Sequence, residues 1–158
     1  MRKFQNFHAR LANGFTLVEL MVVVLVISIL TVIAVPSYTN YVRKSRRTEA
    51  KSMLLDLASR EERYMATNGV YSTTASDLGL TGSWPQYTAS GYYSIAVPQV
   101  TAAAASTSTA AATPATFYIT ATAYGTQTKD TECNTFTVYN SGQQLSKNLS
   151  GTLVTDCW

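Results

Sequence analysis

Histidine and cysteine are scarce in this chain of 158 residues. His8 is the only histidine and lies near the N-terminus, and Cys133 and Cys157 are the only cysteines. A Ser-His-Asp triad, a Cys-His pair and a His-rich zinc site all need a histidine within the fold. The glycine-rich motifs that hold phosphates are also missing from the sequence. We therefore expect no enzymatic activity, no metal site and no cofactor.

Charged residues are few, and their placement matters more than the formal net charge of +3. Three basic residues precede Gly14, and five more lie between Arg43 and Lys51. From Ser52 onward, seven acidic residues oppose four basic ones. The last two thirds of the chain is therefore acidic, which argues against nucleic acid as a partner.

The segment from Phe15 to Val35 is apolar over 21 residues, with Glu19 as its single charge. As a helix it is about 32 Å long, enough to cross the hydrocarbon core of a membrane. A strand of this length would be unusual. A secretory signal peptide would place its small residue after the apolar run, whereas Gly14 lies before it. A cut at Gly14 would leave the helix on the mature protein.

Glu19 needs an explanation, because a carboxylate within a membrane helix costs several kcal/mol. In one interpretation Glu19 lies near the start of the helix and extends to the membrane interface. In the other, another chain supplies a positive partner. A free α-amino group at Phe15, created by cleavage after Gly14, is one candidate for that partner.

The segment Gly14–Glu19 (GFTLVE), its short basic leader, the apolar run and Pro36 together resemble the processing site of type IV prepilins. The resemblance implies that a prepilin peptidase cuts between Gly14 and Phe15 and methylates the new amino group of Phe15. It also implies that Glu19 pairs with the N-terminus of a neighbouring subunit during assembly.

Helical periodicity continues beyond Pro36. Apolar residues recur at three- and four-residue steps from Ala50 to Met65, with Glu61 as the polar exception. Asn68-Gly69 is a stop signal, so we expect one helix from Phe15 to Thr67, with a kink or a melted turn at Pro36. The basic cluster Arg43–Lys51 is interpreted as a solvated face or as partners for other subunits, rather than a DNA or lipid patch.

The remaining residues predict a small antiparallel sheet, which gives an α+β fold with the helix packed on one face. Alternating patterns predict four strands: Tyr92–Val97, Phe117–Tyr124, Thr135–Tyr139 and a short one near Gln144–Ser146. Thr101–Thr116 consists of Thr, Ala, Ser and Pro and is expected to form a long mobile loop. Its glycosylation stays open.

Cys133 and Cys157 are expected to form a disulfide if the C-terminal part is exported. Two free thiols are the alternative. Counting basic residues on either side of the helix favours a cytoplasmic C-terminal part. The resemblance implies export, and it also implies a C-terminal disulfide loop like that of pilins.

Several segments of the chain look like minor pilins of the PilE type: Asn40–Ala50, Arg60–Tyr64, Cys133–Val138 and Asp156–Trp158. The implied parts are a cleaved leader (1–14), a membrane and fibre-core helix (15–36), an amphipathic helix (37–67) and a head (68–158). A major pilin and a type II secretion pseudopilin are alternatives. A DNA-uptake receptor on a pilus is the alternative from another functional class.

The resemblance also implies where the protein acts. It would sit in the inner membrane with a periplasmic head, and then in an extracellular pilus that serves adhesion and twitching motility. Its partners would be other pilin subunits, the prepilin peptidase, the inner-membrane assembly machinery and, before assembly, the membrane.

Overall fold

The computed structural model describes residues 14–106 and 112–158. The predicted leader before Gly14 and the middle of the predicted loop therefore lie outside the described residues. The chain divides into two compact units, Met1–Asn40 and Tyr41–Trp158. We call the second unit the head unit.

One α-helix, α1, runs over Leu17–Asn68 and includes Pro36 without interruption. No turn is melted at Pro36, and a kink there stays a prediction. By length and composition α1 is able to cross a membrane. The predicted helix is thus confirmed, with its start two residues later and its end one residue later than expected.

The end of α1 follows from its sequence. Gly69 has a φ of +75°, the left-handed conformation that glycine adopts readily. Its N–H donates to the carbonyl of Met65 at 2.8 Å, which satisfies one of the free carbonyls of the last turn. The Asn68-Gly69 stop signal is confirmed.

The sheet of the head unit has seven strands, and every neighbouring pair is antiparallel. The strands are β1 (Gln86–Tyr87), β2 (Tyr93–Ile95), β3 (Gln99–Thr101), β4 (Thr116–Ala123), β5 (Thr135–Tyr139), β6 (Gln144–Lys147) and β7 (Leu153–Val154). Their spatial order is β1-β2-β4-β5-β6-β7, with β3 also paired to β4. The four predicted strands are confirmed as β2, β4, β5 and β6. The other three strands are too short to give a periodic signal.

The core of the head unit lies between α1 and one face of the sheet. The helix contributes Ala50, Leu54 and Leu57, all fully buried. The sheet contributes alternate residues of its central strands: Tyr93, Ile95, Phe117, Ile119, Ala121, Phe136 and Val138. This alternation is the period of two expected of a sheet that is covered on one side. The α+β fold is confirmed.

The described ends of the Thr101–Thr116 segment take part in strand pairing. Thr101 ends β3, Thr116 begins β4, and Ala104 and Thr113 form an isolated antiparallel bridge between them. The expected loop between two strands is therefore shorter than Thr101–Thr116, because both end residues belong to strands. Its mobility stays a prediction. Small residues without apolar periodicity still pair there because backbone groups alone make the bridge.

Candidate functional site

Gly14 and Phe15 lie just before the first turn of α1. Both are exposed, Phe15 by 82%, and a Cβ added at Gly14 would meet no atom within 4 Å. The Thr16 hydroxyl accepts a hydrogen bond from the Glu19 N–H at 3.2 Å, as a residue that caps a helix does. The backbone at Gly14 and Phe15 is thus accessible.

The apolar part of α1 is exposed along its whole length. Every Leu, Ile, Val and Met side chain from Leu17 to Val35 is at least 47% exposed. Soluble monomers rarely expose a continuous apolar surface this large, because water contact with it is unfavourable. This segment therefore needs lipid or another protein chain around it.

Glu19 is the single acidic side chain on that apolar surface. In the part of the chain that the structure describes, its carboxylate has neither a hydrogen bond nor a salt bridge. The carboxylate lies in the first helical turn, where the helix dipole favours negative charge. A positive group from outside the described chain has room to reach it.

The head unit contains a buried ion pair that sequence analysis missed. Arg47 on α1 donates two hydrogen bonds to Asp130, both at 2.6 Å, and contacts Glu132 at 3.2 Å. The side chains of Arg47 and Asp130 are only 12% and 2% exposed. Burial acts to raise the pKa of Asp130, but hydrogen bonds from Arg47 and from the Cys133 N–H outweigh it and lower that pKa.

The other two side chains of the basic cluster that face the head unit are also engaged within it. The Arg46 guanidinium stacks on the Tyr92 ring, 3.3 Å from its centroid. Lys51 donates to the carbonyl of Cys157 at 2.9 Å. The interpretation of Arg43–Lys51 as a solvated face or as partners for other subunits is therefore wrong for Arg46, Arg47 and Lys51. Their partners lie far away in sequence, and no local pattern identifies them.

Cys133 and Cys157 form a disulfide, with their Cα atoms 5.8 Å apart. The bond closes a C-terminal loop and brings Trp158 onto the ring of Phe136, 5.6 Å between centroids. In the chain-entropy description a loop of this length stabilises the fold by about 3.5 kcal/mol. The expected disulfide is confirmed.

Glu61, the polar exception in the helical pattern, is fully buried. One carboxylate oxygen accepts a hydrogen bond from the Ser72 N–H at 3.0 Å, and the other has no partner. Burial raises the pKa of Glu61, and the nearby charges of Glu62 and Asp77 act in the same direction. Glu61 is a source of pH-dependent stability.

Comparison with known proteins adds two family matches. Residues 10–35 match the family described as "Prokaryotic N-terminal methylation motif". Residues 36–137 match the family described as "Type IV minor pilin ComP, DNA uptake sequence receptor". These matched ranges adjoin at Pro36.

Curated relatives are type IV pilins. The chain is 38% identical over 66 residues to the type IV major pilin protein PilA of Myxococcus xanthus, which covers 42% of this chain and 30% of that protein. It is 38% identical over 76 residues to the type IV major alpha-pilin of Moraxella bovis, covering 44% and 48%. It is 32% identical over 67 residues to the fimbrial protein EcpC of Eikenella corrodens, covering 42% and 44%.

The chain thus spans less than half the length of these curated relatives. The minor-pilin match is longer and covers more than half of the chain, including β1 to β4 and the first three residues of β5. On this match, joined to the methylation motif and the exposed apolar helix, the chain is a type IV pilin and belongs to the minor-pilin family typified by ComP.

Proposed function

We propose that this protein is a minor structural subunit of type IV pili that primes the fibre or is incorporated into it. The observation that carries the proposal is the methylation motif at the start of an exposed apolar helical segment. The single acid of that segment, Glu19, has no side-chain partner among the described residues. Such a surface suits two environments in turn, the membrane before assembly and the packed helices of a fibre afterwards. The minor-pilin family match favours a minor over a major subunit.

Processing acts at the start of the helix. A prepilin peptidase hydrolyses the Gly14–Phe15 peptide bond, leaving a carboxylate on Gly14 and an amino group on Phe15, which is then N-methylated. The exposed, uncrowded backbone at Gly14 supports access of the peptidase. The methylated amine keeps a positive charge at neutral pH.

Glu19 guides assembly by pairing with the positive Phe15 amino group of a neighbouring subunit. In an apolar surrounding an unpaired carboxylate is costly, and an opposite charge at short range offsets much of that cost. Because Glu19 is the single acid of the apolar surface, the pairing would also fix how far one helix is shifted along the next.

Before assembly the apolar segment spans the inner membrane once, with the head unit in the periplasm. The Cys133–Cys157 disulfide supports this orientation, because disulfides persist in oxidising compartments such as the periplasm. After assembly the head unit belongs to the extracellular pilus, where adhesion and twitching motility take place.

The test is the variant Glu19→Val, compared with Glu62→Val, which removes an exposed acid from the head-unit part of the same helix. We expect Glu19→Val to be cleaved and inserted into the membrane normally but to be lost from purified pili. Glu62→Val should enter pili. Normal incorporation of Glu19→Val would exclude the pairing role, and thousands of copies per pilus would indicate a major subunit.

A second candidate function, DNA uptake, is favoured because the matching family is described as a DNA uptake sequence receptor. The excess of acidic over basic residues from Ser52 onward weighs against this function. So does the engagement of Arg46, Arg47 and Lys51 with groups of the head unit. Exposed cations do remain, among them Lys44, Lys129 and Lys147. Binding of duplex DNA that weakens steeply with salt, and that Lys129→Ala with Lys147→Ala reduces, would establish DNA uptake.

A further inference from the structure

The face of the sheet that α1 does not cover carries a regular pattern of its own. On β4 the outward residues are Thr116, Tyr118, Thr120 and Thr122, and the extended residue Tyr124 follows. On β5 they are Thr135, Thr137 and Tyr139. We call these residues, together with Ser94 and Tyr87 of the adjoining strands, the outer face.

Strand register aligns the outer face into rows. Tyr118 pairs with Tyr139, and Thr120 with Thr137, whose hydroxyls are 3.1 Å apart. Thr122 lies between Thr135 and Ser94, and Ser94 in turn lies opposite Tyr87. The centre of the outer face is therefore a set of side-chain hydroxyls on adjacent strands.

Tyrosine pairs occupy both ends of this set. The rings of Tyr118 and Tyr139 are 5.5 Å apart between centroids, and those of Tyr87 and Tyr124 are 5.1 Å apart. Tyr87, Tyr118 and Tyr124 are 45%, 40% and 52% exposed. Tyr124 follows Tyr118 by six positions of extended chain, about 20 Å, whereas Tyr87 is level with Thr122, four positions or about 13 Å from Tyr118.

Threonine by itself identifies no ligand, because it is common on the open faces of strands. The two tyrosine pairs are the additional feature that points to a class of ligand. An interface between proteins has an apolar, aromatic centre and a polar rim, whereas the outer face has a hydroxyl centre and aromatic ends. This arrangement is the reverse of the one that a protein partner prefers.

The charge of the outer face further restricts the class of ligand. The residues assigned above to the outer face carry no charge. Strands β6 and β7 continue the same side of the sheet with Leu145, Lys147 and Leu153, so Lys147, opposite Thr135, is a cation beside the outer face. A nucleic acid or an anionic lipid surface needs cations along its path. The neutral outer face is complementary to a neutral ligand rich in hydroxyls.

We propose that the outer face binds a neutral, extended polysaccharide with β-linked sugars. Sugar rings have an apolar C–H face that stacks on aromatic rings, and their hydroxyls exchange hydrogen bonds with Thr120, Thr122 and Thr137. The distance between the tyrosine pairs suits several sugar rings of a flat, extended chain. This activity goes beyond the role of a pilus subunit and does not depend on it.

The test uses the full chain in micelles of a zwitterionic detergent without sugar groups, with microcrystalline cellulose and chitin as the probes. We expect saturable binding to at least one probe, unchanged by added salt. Replacing one tyrosine pair, Tyr87→Ser with Tyr124→Ser, should weaken binding about fivefold to tenfold. Tyr118→Phe should retain binding, since stacking uses the ring.

The matched control is Tyr41→Ser, which removes a 73% exposed tyrosine from α1. It should bind as the unchanged chain does, and circular dichroism should show that every variant is folded. The proposal is overturned if neither probe is bound, if Tyr41→Ser weakens binding as much as the pair, or if salt abolishes binding. It is also overturned if the pair variant changes the oligomeric state, because the outer face would then be a subunit interface.

Discussion

Helix α1 has two regions with opposite surroundings. From Leu17 to Val35 its large apolar side chains are all exposed. Within the head unit, Ala50, Leu54 and Leu57 of the same helix are fully buried against the sheet. The second region finds its apolar partner within the chain, while the first must find one in lipid or in another subunit.

The charged groups of the two regions also differ in whether they have a partner within the described chain. Arg47 and Lys51 are bonded to groups of the head unit, whereas the Glu19 carboxylate has no partner among the described residues. Charged side chains of α1 within the head unit thus have partners there, while the first region is left available for assembly. Substitutions in the head unit should therefore change its free energy of unfolding, whereas substitutions in the first region should change assembly.

The largest expected effect is that of Arg47→Ala. Removing the guanidinium leaves Asp130 buried without its partner, which should lower the free energy of unfolding by about 3–5 kcal/mol. Urea unfolding followed by tryptophan fluorescence measures this effect, since Trp84 and Trp158 both lie in the head unit.

The control for this variant is Lys44→Ala, because Lys44 belongs to the same basic cluster but is exposed. It should change the free energy of unfolding by less than about 0.5 kcal/mol. Equal effects of the two variants would mean that the pairing of Arg47 with Asp130 contributes little to stability.

A pair of leucine variants tests the two regions directly. Leu54→Ala removes a fully buried side chain and should lower the free energy of unfolding of the head unit by about 2–4 kcal/mol. Leu25→Ala removes a side chain that is 60% exposed and should leave the same fluorescence transition unchanged. A comparable shift with Leu25→Ala would show that the first region also stabilises the head unit.

The smallest expected effect concerns Glu61 and depends on pH. Because burial raises its pKa in the native state, the native chain holds that proton more tightly than the unfolded chain does. The stabilisation is present below the unfolded-state pKa and is lost as pH rises through the native pKa. Glu61→Gln should therefore raise the free energy of unfolding at neutral pH by roughly 1 kcal/mol.

Glu61→Gln should also remove part of the decline in stability from mildly acidic to neutral pH. Asp130 acts in the opposite sense, because its pKa is lowered and its contribution grows with rising pH. For that reason the free energy of unfolding of Glu61→Gln is compared with that of the unchanged chain at each pH. The contribution of Asp130 cancels in this difference, which leaves the contribution of Glu61. Asp156→Asn, which removes an exposed carboxylate elsewhere in the head unit, is the control. A difference for Glu61→Gln that is independent of pH would contradict this account.

Strong local signals gave correct predictions. The long helix, its stop signal at Asn68-Gly69, the strand Thr135–Tyr139 and the disulfide were all expected from runs, periods and residue types. Strands β1, β3 and β7 have two or three residues each, so their pairing depends on neighbouring strands rather than on a pattern. The same holds for the bridge between Ala104 and Thr113.

The sequence by itself determined that Phe15–Val35 is an apolar helical segment with a single acid, because run length and charge are local properties. It also determined which strand residues face the core, since a period of two assigns the faces. Only the tertiary structure decided which groups the side chains of the basic cluster bind. Arg47 and Asp130 are separated by 83 residues and meet because the sheet brings them together. The outer face, too, exists only once strand register has aligned its tyrosines and threonines.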